Sequence, residues 1–77
     1  YNGNGGYVTK EQAIAGIVKI YEVKNGKLKP SNYQMSGTSA AYSEAVRKAY
    51  AIGLIDDINP QQYVTYEELC DWLVQVL

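Results

Sequence analysis

The side chains able to attack a carbonyl, move a proton or hold a cation are few in this chain, and they gather in two places. The first is Ser36-Gly37-Thr38-Ser39. A hydroxyl becomes a nucleophile when a base, usually His, takes its proton and a third group orients that base. The 77 residues include no His. These hydroxyls therefore read as loop anchors, with Thr38 or Ser39 placed to cap the helix that follows. The second place is the run from Asp57 to Glu68, which matches a twelve-residue calcium loop in length and carries Asp first, Asn third and Glu last. Its middle does not fit: Gln62 stands where the loop needs Gly, Pro60 intrudes, and too few carboxylates remain for a hard cation. Glu67 and Glu68 are sequence neighbours on a helix and point apart, so they make no facing acid–base pair. Cys70 is the single cysteine, which excludes an internal disulfide and, with no His, a zinc site. It falls off the apolar stripe around it and reads as a packing thiol. No general base, metal cluster, cofactor site or activated nucleophile assembles from these residues, so the expectation is a protein that is not an enzyme.

Charge and composition narrow the partners. A net charge of −1 with seven Lys and Arg argues against a nucleic-acid surface, which needs clustered cations to displace phosphate counterions. No stretch approaches the roughly twenty apolar residues of a membrane span. Eight Tyr, one Trp and no Phe make an unusual aromatic set. Tyr joins a flat apolar face to a polar tip, which suits surfaces that meet sugars or other polar partners.

The elements that must position these side chains follow from a repeated phrase. Val8-Thr9-Lys10-Glu11-Gln12-Ala13 returns as Val64-Thr65-Tyr66-Glu67-Glu68-Leu69, each copy preceded by a Tyr (Tyr7 and Tyr63). In both, a Thr is followed three residues later by Gln12 or Glu68, the signature of a capping box. The apolar residues before the cap and at the fourth helical position add a hydrophobic staple. One helix is expected from about Lys10 to about Lys24, with Ile14, Ile17, Val18 and Tyr21 on its buried face and Gly26 closing it. A long polar loop follows from Lys27 to Ser39, anchored by Leu28, Tyr33 and Met35. A second helix is expected over Ala40 to Ile52, burying Tyr42, Ala45, Val46, Ala49 and Tyr50, with Glu44, Arg47 and Lys48 on its wet face and Gly53 as its left-handed stop. The third starts at Thr65 and buries Leu69, Trp72, Leu73, Val76 and Leu77. The fold class is all-α: a small three-helix domain with a long loop between helices 1 and 2. Residues 1–6 form a flexible lead-in and residues 7–77 a single domain. Tyr63-Val64 is too short to pair as a strand.

These residues resemble the S-layer homology module. Tyr42 occupies the place of the family's Trp, and Ala49 to Ile55 resemble its Ala-to-Gly-Ile element. Ile58-Asn59-Pro60 resembles its Phe-x-Pro, and Val64-Thr65-Tyr66-Glu67-Glu68 its Ile-Thr-Arg-Ala-Glu. Residues 31–77 would form one whole repeat and residues 7–25 the closing half of another. The resemblance implies a non-catalytic attachment module, extracellular on a bacterial surface, that binds an anionic cell-wall polysaccharide. The family's Arg position is Lys10 in one copy and Tyr66 in the other. The site implied is a shallow groove near the two capping motifs, with charge from Lys10 and flat or polar contacts from Tyr66, Tyr42, Tyr33 and Glu67. The competing expectation is a helical protein-interaction or structural accessory module of a larger secreted protein, its partners the neighbouring domains.

Overall fold

The computed structural model describes residues 8–77. The expected lead-in, residues 1–6, and Tyr7 lie outside the described residues. Three α-helices are present: α1 (Lys10–Asn25), α2 (Ser43–Ala51) and α3 (Tyr66–Val76), with a 3₁₀ turn over Ala40–Tyr42 running into α2. The domain is all-α.

Both repeated phrases fold as their chemistry dictates. Thr9 and Thr65 take extended backbone and accept the N–H of Gln12 and Glu68 on their hydroxyls, and those side chains in turn accept the N–H of the capping Thr. Two complete capping boxes result. At the far ends, Gly26 (φ 93°) stops α1 and Gly53 (φ 75°) stops α2. Around Gly53, Leu54 N–H donates to the Ala49 carbonyl at 3.0 Å and Gly53 N–H to that of Tyr50 at 3.1 Å, the two bonds of a Schellman stop. Leu54 is buried beneath it.

The core gathers Ile14, Ile17 and Val18 of α1, Val46 and Ala49 of α2, Trp72 and Val76 of α3, and Met35, Leu54 and Ile55 from the loops. The faces expected of α1 and α2 are therefore the ones buried, with Tyr21, Tyr42 and Ala45 half-exposed at the rim and Tyr50 exposed. Leu77, expected inside, is exposed, because α3 ends at Val76 and the chain has already passed the core.

The two helix starts meet. Val64 N–H donates to the Val8 carbonyl at 2.8 Å and Lys10 N–H to that of Gln62 at 2.8 Å, flanking an isolated antiparallel bridge between Thr9 and Tyr63. Tyr63-Val64 does pair, contrary to expectation: its partner is the other copy of the same phrase, and one bridge suffices because helices begin on both sides of it. Equivalent residues Val8 and Val64 face each other, so the duplicated phrase joins itself about a local two-fold. Lys24 Nζ lies 2.6 Å from the Leu77 carbonyl at the other end. With their starts joined at one end and their ends at the other, α1 and α3 lie side by side in the same direction.

Candidate functional site

The start of α1 leaves no donor open. Lys10 N–H reaches Gln62, Glu11 N–H reaches the Pro60 carbonyl at 3.1 Å, and Gln12 N–H reaches Thr9. Such groups are ordinarily the free anion-binding donors of a helix N-terminus. Here the turn 60–62 occupies them, and Pro60 itself is fully buried.

The side chains of this junction are equally committed. Lys10 is only 8% exposed, and its ammonium sits 2.9 Å from Glu68 Oε2. Glu68 thus uses one oxygen, Oε1, for its own cap and the other for the opposite helix. The Lys10 pairing, with the Thr65 backbone bond, holds the Glu68 carboxyl below its ordinary range. The cation expected to meet an anionic ligand is therefore engaged inside the protein, a correction to the role given it from sequence. Its physical cause is the closeness of the two helix starts, which sets Lys10 opposite the carboxylate at the third position of α3.

Glu11 is the residue that sequence reasoning missed. It is 3% exposed, with its carboxylate turned into the junction. Ser39 donates both its N–H, at 2.9 Å, and its hydroxyl, at 2.7 Å. Burial pushes the Glu11 carboxyl up, but the two Ser39 bonds and one from Gln61 outweigh it and leave the group below its ordinary range. Ser39 therefore does not cap the 3₁₀ turn through its side chain, and Thr38 donates instead to the Met35 carbonyl at 2.8 Å. The capping role expected of either residue is replaced by a tie to α1. Gln61 adds a further strut, its amide donating to the Gly37 carbonyl at 2.9 Å.

The other expected site residues fall into separate places. Tyr66, at the first position of α3, is 82% exposed, and Glu67 beside it is exposed too. Tyr42 is half-buried where the 3₁₀ turn enters α2. Tyr33 belongs to a different cluster: its ring stacks on Tyr50 with centroids 4.7 Å apart and planes 29° from parallel, and its hydroxyl donates to Asp57 Oδ1. That bond to Asp57 raises the Tyr33 phenol above its ordinary value. Tyr33 is thus a surface stacking partner rather than a core anchor.

The wet face expected of α2 is partly covered. Lys48 Nζ lies 2.8 Å from Glu22 Oε2, which also accepts Leu28 N–H at 2.8 Å, so loop, α1 and α2 share one carboxylate. The Lys48 bond is the main reason Glu22 titrates low, and the same bond raises Lys48. Beside this pair, an open groove of about 330 Å³ runs between α1 and α2, with Gly16, Ala41 and Ala45 among its walls. The two outer residues of the calcium-like run are also occupied, Asp57 by Tyr33 and Glu68 by its cap and Lys10. Among the described residues no three His, Cys, Asp or Glu converge, and Cys70 is a half-buried free thiol. No described helix is long and apolar enough to cross a membrane.

The fold and these contacts define a class, a small all-α domain whose duplicated capping phrase closes on itself. The chain matches no family model, no curated protein and no solved structure.

Proposed function

We propose that the domain is a non-catalytic attachment module of the S-layer homology kind, holding a bacterial cell-wall polysaccharide outside the cell. The observation that carries the reading is the placement of tyrosines: Tyr66, Tyr33 and Tyr50 present ring surface to solvent rather than filling the core. A Tyr ring is rigid, loses little entropy on binding, and offers a flat apolar face with a hydrogen-bonding edge, which suits a sugar. A second observation supports the absence of catalysis. Glu11, Glu22 and Glu68 titrate low, while Tyr33 and Lys48 titrate high, so each of these groups is moved away from neutrality. General acid–base catalysis needs the opposite movement.

A specific feature favours the second reading, an accessory module that packs on a neighbouring domain. Val23, Val74 and Leu77 are strongly exposed apolar residues in the C-terminal halves of the adjacent helices α1 and α3. Co-sedimentation with purified Gram-positive cell walls, before and after acid stripping of their secondary polysaccharide, separates the two. The attachment reading expects binding that stripping abolishes and that Tyr66→Ala weakens. A well-folded domain that stays in the supernatant refutes it and leaves the accessory role.

A further inference from the structure

With Lys10 paired internally, an anionic ligand must find its cation elsewhere, and one cation is conspicuous. Arg47 is the only Arg in the chain. It is half-buried on α2, and its Nε is shut away from solvent with no hydrogen-bond partner. Every other buried or half-buried cation is paired: Lys10 with Glu68, and Lys48 with Glu22 and, more loosely, Glu44. Among the described residues no carboxylate lies within ion-pair distance of Arg47. A guanidinium held against protein without a counterion is an incomplete arrangement, because desolvation weakens its charged form and nothing inside the fold compensates.

The surroundings of Arg47 point to what would complete it. Ser31 N–H donates to the Arg47 carbonyl at 3.1 Å, so the loop after Pro30 lies along this part of α2. Two residues on, Tyr33 stacks on Tyr50, which follows Arg47 by three positions and so shares its side of the helix. Asp57 holds the Tyr33 hydroxyl and fixes the tilt of the stacked pair. Lys29, exposed in the same loop, adds positive charge. A fixed guanidinium fork beside two stacked phenol rings matches a carboxylate-bearing sugar: the fork takes the carboxylate with two parallel bonds, and the rings take the sugar's face.

We propose that Arg47, Tyr33 and Tyr50 form the site that grips an acidic saccharide unit. This rests on the polysaccharide reading above and moves its charge contact from Lys10 to α2. The test uses two probes, a hyaluronan tetrasaccharide and neutral chitotetraose, followed by amide chemical shifts of the whole domain, together with wall co-sedimentation. The expected result is saturable shifts over residues 31–33 and 47–50 with the acidic probe alone. Arg47→Met should weaken wall binding at least about tenfold, Arg47→Lys should fall between, and Lys19→Gln, the same loss of charge elsewhere on α1, should change it little. Arg47→Met should also melt no lower than the natural protein, since it removes an unpartnered buried donor. A melting point lowered by more than about 5 °C would assign Arg47 to the frame and overturn the proposal. Wall binding untouched by Arg47→Met overturns the site while leaving the attachment reading intact. Acidic-probe shifts at Arg47 in a domain that ignores walls support the site and refute the wall ligand. Silence toward both overturns both.

Discussion

Replacing Glu11 with Ala tests whether the junction is held by charge-assisted hydrogen bonds or merely by packing. The carboxylate accepts the N–H and the hydroxyl of Ser39, 28 residues away, and a further bond from Gln61. Hydrogen bonds to a charged group contribute roughly 1.5–3 kcal/mol each, but these share one carboxylate and are not additive. Removing Glu11 also strands the Ser39 donors, so the expected cost is about 3 kcal/mol. For a domain of 77 residues with a total stability of roughly 4 to 12 kcal/mol, that is a large fraction. The melting temperature should fall by about 12–24 °C. Glu11→Gln keeps the shape without the charge and should lose about half as much. The pH dependence has a fixed sign. The folded-state pKa is lowered from 4.5, so the unfolded chain binds the proton more readily. The contribution is therefore complete above that value and disappears as pH falls through the lower folded one. Glu22 and Glu68 titrate low as well, so the natural protein and Glu11→Gln must be compared by urea unfolding at several values between about pH 6 and pH 3. Their stability difference should shrink on acidification. A Glu11→Ala variant within about 1 kcal/mol of the natural protein, or a difference that does not change with pH, would refute the reasoning.

Two glycines should respond in opposite directions in urea unfolding. Gly16 lies mid-helix in α1 with nothing within 4 Å of an added Cβ, so Gly16→Ala should stabilise by about 0.5–1 kcal/mol. Gly53 has equally open surroundings but φ of 75°, so Gly53→Ala should cost about 1 kcal/mol from backbone strain alone. Glu68→Ala removes a cap and leaves the Lys10 ammonium buried and unpaired, for a loss of about 3 kcal/mol. Lys10→Met leaves Glu68 capped and partly solvated and should cost about 1 kcal/mol or less; equal losses in the two variants would show that the ion pair does not govern this junction.

The site was harder to read than the helices. Tyr66 and Glu67 are exposed, as a surface role requires, because they open a helix on the side away from its core face. Lys10 was read as a free cation because its sequence neighbours offer no partner; the partner, Glu68, comes from the other copy of the phrase. Arg47 was read as a solvated charge because helical periodicity places it off the apolar stripe, and periodicity carries no information about which loop will cover that side. Tyr50 was assigned to the core by the same periodicity, although Tyr33 from the long loop meets it at the surface.

What the sequence determined by itself is everything settled within a few residues along the chain. The capping boxes at Thr9 and Thr65, the glycine stops at Gly26 and Gly53, and the core faces of α1 and α2 all depend on partners no more than about a turn or two away, at spacings fixed by helix geometry. The tertiary structure alone decided which charges are inside and with whom. Glu11 meets Ser39, Lys10 meets Glu68 and Lys48 meets Glu22 only after the chain has folded back on itself. A charge is sheltered or solvated according to what packs against it, and for these residues that neighbour is supplied by a distant part of the chain.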